Sequence, residues 1–197
     1  KNIPLIGVVG EIFVRCNPFS NNYLLDIIEK NGCEMWLAPI SEFIFFISFI
    51  NYLSLKERLN IIELLKNRLI DNYFKYIEEK YYHYVLPILF DRKEPDIKDI
   101  IESSLPYIPK EHTSEAIITI GRTIEFFKKN NASMVVNVSP FTCMPGNITS
   151  SIFTNIEKTY NKPILSVFYD GEEGQNEKVE IYLKDLLNRS ISDIIET

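Results

Sequence analysis

The stretch Ile3-Pro4-Leu5-Ile6-Gly7-Val8-Val9-Gly10 decides the fold. An apolar run this short, closed by a glycine, suits a strand covered on both faces. Glu11 to Pro18 reads as an irregular connection. Ser20 or Asn21 can then cap a helix through about Lys30, with Leu24, Leu25, Ile27 and Ile28 giving its apolar face. Asn31-Gly32 ends that helix, and Cys33 to Leu37 reads as a second strand. Together these make a βαβ unit, whose crossover is expected to be right-handed.

Beyond it, from Ala38 to about Pro109, the pattern changes to long helical segments rich in Ile, Leu, Phe and Tyr. Lys56 to Glu79 carries Leu59, Ile62, Leu65 and Leu69 at helical spacing. The aromatics from Phe43 through Tyr84 read as core and packing surface. The alternation of helix and strand then returns. Ser114 to Lys129 reads as an amphipathic helix, Ser133 to Val138 as a third strand and Asn147 to Thr159 as a helix. Ile164 to Phe168 reads as a fourth strand and Glu177 to Leu187 as a last helix. The expected fold is α/β: an open, mostly parallel, Rossmann-like sheet of about four strands, with a large helical insertion (38–109) between strands two and three. All of it is expected to lie in one domain over 1–197. A chain that opens directly on a core strand is expected to be part of a longer protein.

The bulk numbers narrow the function. A chain of 197 residues, 46% hydrophobic and 24% charged, can bury one substantial core. A net charge of −6, with lysines scattered along helical stretches, leaves no basic stripe for a phosphate backbone to follow, so nucleic acid is not an expected partner. Three widely spaced cysteines do not make a secreted disulfide framework, and a reducing, cytoplasmic setting fits better. The first residues lack the features of a signal peptide. Phe43 to Leu55 is the one apolar stretch that approaches a membrane span. Ser48, Asn51 and Ser54 interrupt it, and it falls short of the ~20 residues needed to cross hydrocarbon, so a buried helix is expected and no membrane partner.

In an open parallel sheet, ligands bind beyond the carboxyl ends of the strands. That rule selects Glu11 to Ser20, Ala38 to Glu42, Ser139 to Gly146 and Tyr169 to Gly174. Cys143 stands on this edge just before a helix, where the helix dipole favours thiolate, the form that a metal or an iron–sulfur cluster requires. The plainer reading is a structural thiol in a turn. Cys16 shares the edge with a weaker signal, and Cys33 at the opposite end reads as a small buried apolar residue. Without a Cys-x-x-Cys pair, any cluster needs ligands from outside the chain. Glu11 and Arg15 read either as a charge pair orienting a polar ligand or another chain, or as a local ion pair of little worth. Asp170 with Gly171 and Gly174 reads as an acidic turn. His83 and His112 receive no role, and Gly7-Val8-Val9-Gly10 lacks the spacing of a phosphate-binding loop.

Four ordered motifs carry a family resemblance: Val8 to Ser20 (VVGEIFVRCNPFS), Ser114 to Gly121 (SEAIITIG), Asn137 to Gly146 (NVSPFTCMPG) and Phe168 to Gly171 (FYDG). Over nearly its whole length the chain resembles the C-terminal region of activase-related proteins of the 2-hydroxyglutaryl-CoA dehydratase system. It is likewise similar to the dehydratase D-component and the double-cubane cluster proteins. The resemblance implies low-potential, ATP-coupled electron transfer in an anaerobe, with an iron–sulfur cluster in the full-length protein. It implies an activase domain or a dehydratase subunit as partner, while the density of Phe, Tyr and Ile between Phe43 and Tyr84 points to a second copy of the chain as a further one. Cys143 matches the cysteine of the Cys-Met-Pro-Gly motif, so cluster ligation is carried over to it, with other ligands from outside this chain. Glu11, Arg15 and Asn17 are the cofactor-binding positions expected beside it. A non-catalytic module that docks the activase domain or a second copy is the alternative.

Overall fold

The computed structural model describes residues 3–89 and 92–195. Those up to Ala38, together with those from Ile100 onward, form one compact unit, and Pro39–Asp99 forms another. The first unit holds β1 (Leu5–Gly10), α1 (Ile12–Cys16), α2 (Leu24–Lys30) and β2 (Glu34–Leu37). After the insertion come α6 (Ala116–Lys128), β3 (Met134–Pro140), α7 (Met144–Tyr160), β4 (Ile164–Tyr169) and α8 (Glu177–Ile195). The four strands are all parallel, in the order β2-β1-β3-β4. The fold is therefore the expected α/β, Rossmann-like one, with the helical insertion between β2 and β3.

Every residue of β1 is buried, as is β3 up to Ser139, which is why both read as near-continuous apolar runs. Side chains alternate across the sheet. Ile6, Val8, Met134, Val136 and Val138 pack with Val14, Leu24, Ile28, Val179 and Leu183 in one core layer. On the other face α6 packs against β1, β3 and α7. Gly7 lets the Phe126 ring lie on β1, since a Cβ there would stand 2.5 Å from it. Ala116 through Phe127 are all buried, so α6 is enclosed on every side rather than amphipathic as expected. Its Arg122 lies over the rings of Phe126 (4.3 Å) and Trp36 (5.4 Å).

Two local expectations change. The connection after β1 is not irregular: its first part coils into α1, because the Glu11 carboxylate accepts hydrogen bonds from the N–H groups of Phe13 (3.1 Å) and Val14 (2.8 Å). Neither Ser20 nor Asn21 is the N-cap of α2: Asn22 and Tyr23 at positive φ delay the helix to Leu24, so Tyr23 holds that position, and Asn21 instead accepts from Leu24 N–H at 3.1 Å from two residues further back.

The second unit contains α3 (Ser41–Glu57), α4 (Ile61–Val85) and the start of α5 (Ile97–Ser104). The helix expected over Lys56 to Glu79 is broken. Leu59 takes a left-handed φ of 54° and the Asn60 side chain accepts from Glu63 N–H at 3.3 Å, which ends one helix and starts the next. Among the described residues no helix is long and apolar enough to cross a membrane.

At Gly10, with φ 110°, an added Cβ would overlap the Val138 carbonyl oxygen, whereas Gly32, with φ 73°, faces open space. Gly10→Ala should therefore cost about 3 kcal/mol or more through strain and overlap. Gly32→Ala should cost about 1 kcal/mol, from its backbone conformation alone. Urea denaturation of the two variants checks this, and equal losses would show that Gly10 does not serve the approach of β1 to β3.

Candidate functional site

β1 leads through α1 and α2 to β2 on one side, while β3 leads through α7 to β4 on the other. The strand order thus reverses between β1 and β3, the place where open α/β sheets bind ligands. A small cleft of about 10 Å³, room for roughly one water molecule, opens there, lined by Gly10, Glu11, Glu115, Asn137, Ser139 and Cys143 with the first turns of α7.

Its floor is built from β3. Asn137 and Ser139 are buried, on the sheet face that carries α6 and α7. Asn137 Nδ2 donates to Thr149 Oγ1 and Ser166 Oγ, each at 3.2 Å. Its Oδ1 has no hydrogen-bond partner among the described residues and lies 2.8 Å from where a Cβ on Gly10 would stand. A buried carbonyl oxygen left in this state marks a place where a donor belongs.

One wall is the Cys-Met-Pro-Gly segment. Cys143 is the N-cap residue of α7: its carbonyl accepts from Asn147 N–H (3.0 Å), while its side chain makes no capping bond and is half-buried. Pro145 falls in the first turn, where its missing N–H costs nothing. Gly146 lets the helix sit directly on the end of β3, because a Cβ would stand 2.5 Å from Ser139 Oγ. Phe141 and Met144, on either side of the sulfur, are 65% and 66% exposed.

The opposite wall carries charge. Glu11 uses its carboxylate oxygens on α1, and Arg15, buried beneath, donates from Nη1 to the Gly10 carbonyl at 3.0 Å. Both side chains therefore serve the backbone at the mouth of β1. Glu115, at the start of α6, was not singled out from the sequence. Burial holds its carboxyl above the usual carboxylate range, the nearby Glu11 charge raises it further, and Arg15 opposes both.

Glu11 and Cys143 are thus brought together, with Arg15 behind Glu11. Asn17 is not part of the cleft: its Oδ1 accepts from the N–H groups of Phe19 (3.0 Å) and Ser20 (3.3 Å) and holds the turn after α1. Cys16 is exposed at the end of α1 and does not line the cleft. Cys33 is a buried member of the core, and burial raises its thiol above the ordinary value. Asp170 accepts from Glu172 N–H at 3.0 Å, in keeping with a turn. Of the residues that sequence reasoning passed over, Asn137 did leave a signal, as the one amide in the apolar run Met134 to Val138. Glu115 left none.

An iron–sulfur cluster needs several thiolates. The cleft offers one sulfur, and among the described residues no group of three or more His, Cys, Asp or Glu is placed to hold a metal ion. These residues do not by themselves make a cluster site.

Because Glu115 holds its proton more tightly folded than unfolded, its contribution to stability is full below the unfolded pKa near 4.5 and is lost as pH rises through the higher folded value. Glu115→Gln should flatten the fall in Tm over that window and raise Tm at neutral pH, read by thermal unfolding at a series of pH values. An unchanged slope would mean that burial does not raise this carboxyl above its unfolded value. No family model, no curated protein and no solved structure matches the chain.

Proposed function

We propose that this chain is the dehydratase-component-like module of an activase-related protein, and that it presents Cys143 as one ligand of an iron–sulfur site whose other ligands come from outside it. The observation that carries this reading is the placement of the Cys143 sulfur, half-buried and free of any capping bond, on the cleft at the strand-order reversal between β1 and β3. The first turn of α7 offers the positive end of a helix to a negatively charged group held at that sulfur. The exposed Phe141 and Met144 beside it, and the exposed Phe13 and Phe19 that line a separate groove of about 650 Å³, give the edge apolar surface suited to burial under a second protein module.

The roles of the other residues follow from their contacts. Glu11 and Arg15 fix the backbone at the mouth of β1, and Asn137 holds a carbonyl oxygen ready for a donor. Glu115 stands at the cleft wall with its carboxyl raised by burial above the usual carboxylate range. Electron transfer coupled to ATP would belong to the assembly with its activase, since this chain offers no phosphate-binding loop.

Anaerobic reconstitution of the full-length protein with iron and sulfide tests the reading. Cys143→Ser should lower bound iron and weaken the visible absorption of the cluster, whereas Cys16→Ser should leave both at the wild-type level. Iron content and spectrum unchanged in Cys143→Ser would refute the ligand assignment.

A further inference from the structure

Within the unit Pro39–Asp99, α4 is polar where it meets α3 and apolar where it meets solvent. Asn67 is buried and donates to Ser48 Oγ of α3 at 3.1 Å, and the same hydroxyl donates to Asp71. Away from that layer, Ile62, Leu65, Leu69, Tyr73 and Tyr76 recur at intervals of three and four on one helical face, and each is at least 60% exposed. Scattered surface apolar residues need no explanation, but a continuous stripe about 20 Å long does.

We infer that this stripe is a homodimer interface, formed by α4 packing antiparallel against α4 of a second copy. Area is the first argument. The stripe and the apolar side chains beside it on α4 expose on the order of 1,000 Å², against roughly 800 Å² per partner in a standard interface. Shape is the second: the N-terminal half of the stripe is aliphatic and the C-terminal half aromatic. A two-fold axis across the helix lays tyrosine rings on isoleucine and leucine, whereas a parallel pair would stack like on like.

Charge is the third argument. Arg68 stands in the N-terminal half of α4 and Glu79 in its C-terminal half, eleven positions and about three helical turns apart, so both fall on the same flank of the stripe. Antiparallel pairing brings Arg68 of each copy to Glu79 of the other, whereas parallel pairing brings like charges together. The inference rests on the Pro39–Asp99 unit alone and is independent of the role given to Cys143.

Sedimentation of the full chain over a concentration series should show a monomer–dimer equilibrium. Leu65→Glu with Leu69→Glu should weaken it at least ~10-fold, as expected when central apolar anchors are lost, with the far-ultraviolet circular dichroism unchanged. Arg68→Glu and Glu79→Arg, both on the surface, should each weaken the dimer, and their combination should restore it. A monomer at every concentration overturns the inference, as does a dimer indifferent to Leu65→Glu with Leu69→Glu. Single charge variants that weaken the dimer without mutual rescue overturn the antiparallel arrangement. A chain that stays monomeric alone and associates only with added activase overturns it in favour of that partner.

Discussion

The backbones of β1 and β3 meet so closely at their carboxyl ends that no side chain fits at Gly10, and the next amide, Glu11 N–H, donates to the Val138 carbonyl at 2.8 Å. This contact extends the parallel pairing one residue past β1 and fixes where the two connections diverge. The Glu11 carboxylate then starts α1 by accepting from two amides, and Arg15 returns from that helix to bond the Gly10 carbonyl. The cleft exists because these turns are tied down on one side and the first turn of α7 rests on Ser139 on the other.

The polar groups of the cleft divide into those that hold the fold and those that face outward. Glu11, Arg15, Thr149 and the Asn137 amide nitrogen all have backbone or side-chain partners. The Asn137 carbonyl oxygen and the Glu115 carboxyl, raised by burial, are polar groups kept in low-dielectric surroundings, a cost that folds tend to carry at functional edges. The Cys143 sulfur stands among them as a soft donor. One sulfur cannot complete a cluster, so the chemistry proposed for it depends on association.

Association is also what the second unit suggests, by a different route. A helix pair joined through Ser48, Asn67 and Asp71 gains specificity from that polar layer and less from burial. The apolar residues that would otherwise fill such a seam lie on the far side of α4. The aromatics between Phe43 and Tyr84, expected to be core and packing surface, are therefore partly exposed, with Tyr73, Tyr76, Tyr81 and Tyr84 each above 60%.

The sequence by itself determined the strands, the order of elements and the sheet edge on which Glu11 and Cys143 lie. Apolar period, glycine stops and capping residues act over a few neighbours and can be read locally. It did not reveal α1, whose cap is a glutamate, a residue type outside the usual capping set. Nor did it reveal the break at Leu59, because helical spacing continues across it. Only the tertiary structure decided that Glu115 and Asn137 join Glu11 and Cys143, that Asn17 does not, and that Arg15 turns back toward Gly10. Those four cleft residues are separated by as many as 132 positions. Parallel pairing of β1 with β3 across a long insertion brings them to one place, and no local pattern of residues encodes that pairing.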